Sequence, residues 1–208
     1  MSDIEQYGTA IVSIGENCCP AELIQSAGLR TESMIFDRAR SNLLAIADVV
    51  KNGYEWHIEQ NVREVPLPEY RGVHYKRLNW PHHPWPDRHD YMVRCAIRFF
   101  NALKLSRELH LLHCTPNPIN IDHVISLEKA VALQRKDFRI VAMQGLAGDK
   151  SDIIEDVELS NNVRLLKVSA EKEFHNNRMR GPFYIELFKY AFPNVSELGQ
   201  YGLEGAIV

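Results

Sequence analysis

Residues 109–143 read LHLLHCTPNPINIDHVISLEKAVALQRKDFRIVAM, and their rhythm decides the fold class. Two short apolar runs, 109–114 and 138–143, flank a segment from Asp122 to about Arg135 in which Val124, Leu127 and Val131 recur at helical spacing. Asp122 directly precedes that pattern and is the expected helix cap. A third run, VRLLKV at 163–168, repeats the strand signal. Strands alternating with helices build a mostly parallel sheet with helices on its faces.

The same reading extends to both ends. TAIVSI at 9–14 is β-branched and apolar without strict alternation, as suits a strand buried on both faces. A helix is expected from Cys19, with Pro20 early in it, Leu23, Ile24 and Ala27 at helical spacing, and Gly28 as its stop. A second is expected from about Asp37 to Asn52, a third from Asp90 to about Leu105, and a last over 182–192 (PFYIELFKYAF). Residues 54–90 differ in kind, holding all three tryptophans, five of the nine histidines and a dense set of prolines. The expectation is an α/β fold: a mixed, mostly parallel sheet flanked by helices, one domain over residues 1–208, carrying a long His/Trp/Pro-rich excursion.

Composition narrows the function. With 24 basic and 27 acidic residues, a formal net charge of -3 and no basic block of five, nothing attracts a polyanion, so nucleic acid is an unexpected partner. No apolar run approaches the roughly 18 residues of a membrane helix, and MSDIEQYG lacks the basic start and apolar stretch of a secretory signal. The expected setting is cytoplasmic, with no membrane partner.

Four cysteines in a reducing compartment make a poor disulfide framework, and without a CxxC pair a structural zinc site has little support. In AIVSIGENCCPA, residues 10–21, Cys18 falls between strand end and helix start, where unpaired N–H groups and the helix dipole favour a thiolate. The competing reading is a buried structural thiol. A base is required, and NWPHHPWPDRHDY offers His82, His83 and His89, with Asp87 and Asp90 able to orient an imidazole and Trp80 and Trp85 able to exclude water. The bland alternative is a loop that packs its aromatics and exposes its histidines. His82, His83, Asp87, His89 and Cys18 also include zinc and iron ligands, but no HExxH or HxH spacing occurs, and no cofactor is implied. His110, His113 and His123 flank a strand end, where they and Asn117, Asn120 or Asp122 can face a site.

SIGENCCPAELIQSAGLRTESMIFD resembles the opening of the DUF1796 family, described as papain-like cysteine peptidases. The shared positions are Ser13, Gly15, Asn17, Cys18 and Ala21, then Gly28, Leu29, Arg30, Ser33, Phe36 and Asp37. Trp80-Pro81-His82, followed by Tyr91, Arg94, Arg98 and Phe99, is similar to a second block of the family, and the likeness spans about residues 10–114. The resemblance implies Cys18 as nucleophile and His82, not His83, as base, with Cys19 on a free position. Asp37, Asn117 and Asp122 are its candidates for a third member. Arg38 stands where the family usually has tryptophan, and His83 where it commonly has aspartate. A papain-like α+β fold, with the cysteine helix against an antiparallel sheet, is the alternative architecture.

The implied chemistry is hydrolysis or acyl transfer on an amide, ester or thioester carbonyl, with the oxyanion held by backbone N–H groups near Asn17 to Cys19. Ser13, Gly15, Cys19, His83, Trp80, Trp85 and Asn117 are candidate substrate contacts. Small-molecule, peptide and glycan-linked acyl substrates all fit, and the oligomeric state stays open. A non-catalytic binding module on the same scaffold and a metal-dependent hydrolase are the other function classes.

Overall fold

A computed structural model describes residues 8–15, 18–29, 32–37, 41–53, 69–70, 73–74, 89–170 and 182–195. At its centre is a five-stranded sheet made of β1 (Ala10–Ile14), β4 (Leu109–Thr115), β5 (Phe138–Ala147), β7 (Val163–Ala170) and β6 (Asp152–Ser160), in that spatial order. β1, β4, β5 and β7 run parallel, and β6 joins β7 antiparallel. The mostly parallel α/β sheet expected from the strand-helix rhythm is therefore the one that forms. β2 (Glu69–Tyr70) and β3 (Val73–His74) make a separate two-stranded pair inside the 54–90 excursion.

Because strand side chains alternate between faces, each strand feeds two cores. Val12, Ile14, Leu109, Leu111, Ile140 and Leu165 pack with α2 (Leu43–Asn52), α3 (His89–Leu105) and α4 (Ile121–Ala132). Ile11, Leu112, Cys114, Val141, Met143 and Leu166 pack with α1 (Cys19–Ser26) and α5 (Pro182–Ala191). Both faces being covered explains why the parallel strands read as nearly continuous apolar runs.

The start of α1 follows from Pro20, whose fixed φ suits the first turn, and from Leu23 and Ile24, which bury one side. Its end is fixed by Gly28 at φ 74, with Gly28 N–H donating to Gln25 O and Leu29 N–H to Ile24 O. That paired pattern needs a left-handed residue, the conformation glycine adopts without steric cost.

Two expected boundaries move. The second helix begins at Leu43, not near Asp37, because Asn42 is its cap, accepting Ala45 N–H at 2.8 Å. Asp37 belongs to a turn over 35–37. Similarly, α4 is capped by Asn120, whose Oδ1 accepts from Asp122 N–H at 3.0 Å, so Asp122 is a first-turn residue and not the cap. The outer strand β6 has no counterpart in the sequence reading.

Candidate active site at the carboxyl end of β1

Where β1 ends, the chain must leave the sheet and start α1, and three consecutive residues are held there by side chains from elsewhere. The Ser13 hydroxyl donates to Asp37 Oδ1 at 2.5 Å. The Ile14 carbonyl accepts from His113 Nδ1 at 3.1 Å, and the Gly15 carbonyl accepts from the Ser41 hydroxyl at 2.8 Å. Asp37 is further engaged by Met34 N–H, which donates to Oδ2 at 2.9 Å. Ser13, Asp37, Ser41 and His113 are all buried, so each bond satisfies groups that water does not reach.

Gly15 is closely packed. A Cβ on it would lie 3.2 Å from Pro20 Cγ, a tight contact, and 3.4 Å from His113 Nδ1, an ordinary one, so glycine lets the first turn of α1 and the imidazole of β4 come close to the strand end.

Cys18 is the N-cap of α1, with φ -80 and ψ -4 and its carbonyl accepting Glu22 N–H at 3.0 Å. It therefore sits at the positive end of the helix dipole, which stabilises negative charge.

None of the four cysteines is in a disulfide, and Cys18 alone among them is not buried. Cys19 is fully enclosed among Leu23, Leu112 and Cys114, and burial, then its neighbours Cys18 and Glu22, push its thiol up to about 12. Burial pushes Cys114 well above its ordinary value. Cys95 is also raised by burial, against the opposing pull of a Tyr91 hydrogen bond and of Arg98. Three thiols are thus kept protonated at neutral pH, and none of these three is exposed to reagents.

The remaining candidates divide clearly. Asn117 lies just past the carboxyl end of β4, its N–H donating to Thr115 Oγ1 at 3.0 Å. His113 reaches the β1 turn, whereas His110 occupies the opposite end of β4, its ring 5.4 Å from that of Phe192. Asn17, Trp80, His82, His83, Trp85 and Asp87, and the side chain of His89, lie outside the described residues. Among the described residues no group of three or more His, Cys, Asp or Glu is arranged to hold a metal, and no helix is long and apolar enough to cross a membrane.

The sequence reading missed Ser41, whose only signal was its place before a helix cap. It named His113 without identifying the Ile14 carbonyl as its partner.

No curated protein and no solved structure matches the chain. A family profile does match, over residues 9–127, a span containing β1, the Cys18 turn, Asp37, His113 and Asn117. That span is more than half of the sequence, and the chain belongs to the family described as putative papain-like cysteine peptidases, DUF1796.

Proposed function

We propose that the protein, acting as one domain over its 208 residues, is a cysteine-dependent hydrolase or acyl transferase with Cys18 as nucleophile and His82 as base. His82 takes the Sγ proton, the thiolate attacks an amide, ester or thioester carbonyl, and backbone N–H groups from Asn17 to Cys19 hold the oxyanion. His82 then returns the proton to the leaving group, and water or an acceptor alcohol or amine releases the acyl chain. Asp37, Asn117 and Asp122 are the candidates for orienting groups, and Trp80, Trp85 and His83 for contacts with the acyl substrate. The substrate is a small molecule, peptide or glycan-linked acyl compound, met in the cytoplasm without nucleic acid or membrane.

The observation that carries this reading is the contrast among the cysteines. Cys18 stands half-buried at a helix N-terminus after a buried parallel strand, while Cys19, Cys95 and Cys114 are buried. Membership of a cysteine peptidase family adds to it.

The test is iodoacetamide labelling from about pH 4 to 9, resolved for each cysteine, in wild type and His82→Ala. Cys18 is expected to label with an apparent pKa well below the free-thiol value of about 8.5, and to lose that advantage without His82. A Cys18 that labels no faster than an ordinary thiol sinks the reading and favours a binding module.

A further inference from the structure

We infer that His113 is a positioning residue for Cys18, acting through the Ile14 carbonyl. The inference rests on the reading of Cys18 as nucleophile and adds the group that fixes where that nucleophile stands.

In the parallel ladder His113 lies opposite Ile14, the last residue of β1. Its ring reaches across to the neighbouring strand, with Nδ1 3.1 Å from the Ile14 oxygen. A carbonyl only accepts, so Nδ1 carries the hydrogen of this bond. His113 is 2% exposed, so the carbonyl it satisfies lies where losing a donor is costly.

The Ile14–Gly15 peptide is the last point at which the sheet controls the path toward Cys18. The imidazole lies against Gly15, with room for no more than an ordinary contact to a Cβ, and Pro20 of α1 meets the same glycine more closely, so strand, ring and helix start pack together. Rotating the Ile14 carbonyl away from His113 turns the peptide that leads into the Cys18 N-cap. Ser41 on the next carbonyl steadies the same turn from the α2 side.

Reactive groups tolerate little misplacement, since about 1 Å can cost on the order of 100-fold in rate. His113 is therefore expected to act on Cys18 reactivity without touching the substrate.

The experiment compares His113→Leu, which removes the donor and keeps an apolar filling, with His113→Asn, whose side-chain amide can occupy the place of Nδ1. Both should melt below wild type. Cys18 in His113→Leu should label with iodoacetamide roughly tenfold more slowly at pH 7 and with an upward-shifted pH profile, while His113→Asn stays within about threefold of wild type. Equal losses in the two variants, or a folded Leu variant with the wild-type rate and profile, overturn the inference.

Because the Leu variant can fail to fold, nitrogen NMR of the unsubstituted protein is a second arm. It should find His113 protonated at Nδ1, and a bare Nδ1 overturns the inference. If wild-type Cys18 labels as an ordinary thiol, the nucleophile reading fails, while the tautomer and the Leu/Asn difference in Cys18 labelling still judge the positioning role.

Discussion

Ser13 and Asp37 are joined by a buried 2.5 Å hydrogen bond between residues 24 positions apart, and that bond closes the loop carrying Cys18 and all of α1. Removing either partner leaves the other buried without its mate. Asp37→Asn, which cannot accept from both Ser13 and Met34 as the carboxylate does, should cost about 1.5–3 kcal/mol in urea unfolding. In a double-mutant cycle with Ser13→Ala the two losses should be clearly less than additive. Additive losses would show that the pair is not coupled.

Gly15→Ala introduces a methyl group 3.2 Å from Pro20 Cγ and 3.4 Å from His113 Nδ1. The proline ring is not the free end of a flexible chain, so it or the strand end gives by a few tenths of an ångström, at about 1 kcal/mol, the low end for overpacked cores. The melting temperature should fall and Cys18 labelling should change with it. A neutral Gly15→Ala would mean that the ring and the proline yield freely.

The adjacent cysteines should respond oppositely to the same substitution. Cys18→Ser, at a half-buried N-cap, should leave stability within about 0.5 kcal/mol while removing the proposed nucleophile. Cys19→Ser buries a hydroxyl in an apolar cluster and should cost about 1–3 kcal/mol. Thermal melts of the two variants side by side decide it.

Acid should act on the outer sheet through Asp156. The Arg164 guanidinium, bonded to both carboxylate oxygens, and the Tyr190 hydroxyl hold its carboxyl down at about 2. A carboxyl depressed in the fold stabilises above its unfolded value of about 3.9, and that stability drains as pH falls through about 2. In Arg164→Ala, carbon NMR should show Asp156 titrating nearer 3.9, and stability should depend less on pH between about 4 and 2. An unchanged titration would assign the effect elsewhere.

His110 works at milder pH. Burial lowers its pKa from 6.5, although Glu108 pulls the other way from 3.8 Å. Below about 6.5 the unfolded chain binds a proton that the folded ring resists, so stability should rise with pH up to that point. His110→Leu should flatten the slope of urea stability between about pH 5 and 6.5, and an unaltered slope would remove His110 from the account.

The parts legible in the sequence are those fixed by local pattern. The apolar runs gave β1, β4, β5 and β7, and the Pro20 and Gly28 signals bracketed α1. β6 was hidden because DIIEDVELS carries four acidic residues, which are poor strand formers and are paired here with Lys150, Lys167, Arg139 and Arg164. Asp37 resembled a helix start because aspartate commonly caps helices, and only its distant partner Ser13 shows its other employment. Cys18 was readable from its place between strand and helix. The bonds holding its turn span 24, 26 and 99 positions, and no local pattern encodes pairs so far apart.

The position of β1 also bears on the order of assembly. Strands β4 to β7 and α4 follow one another closely in sequence, whereas β1 must find β4 across 99 residues, a search that is slow because a long loop has to close before any contact rewards it. The carboxyl-terminal sheet can form while the segment bearing Cys18 is still searching. The turn bearing Cys18 is thus completed last, and its closure during refolding should lag the hydrogen-exchange protection of the β5 and β7 amides.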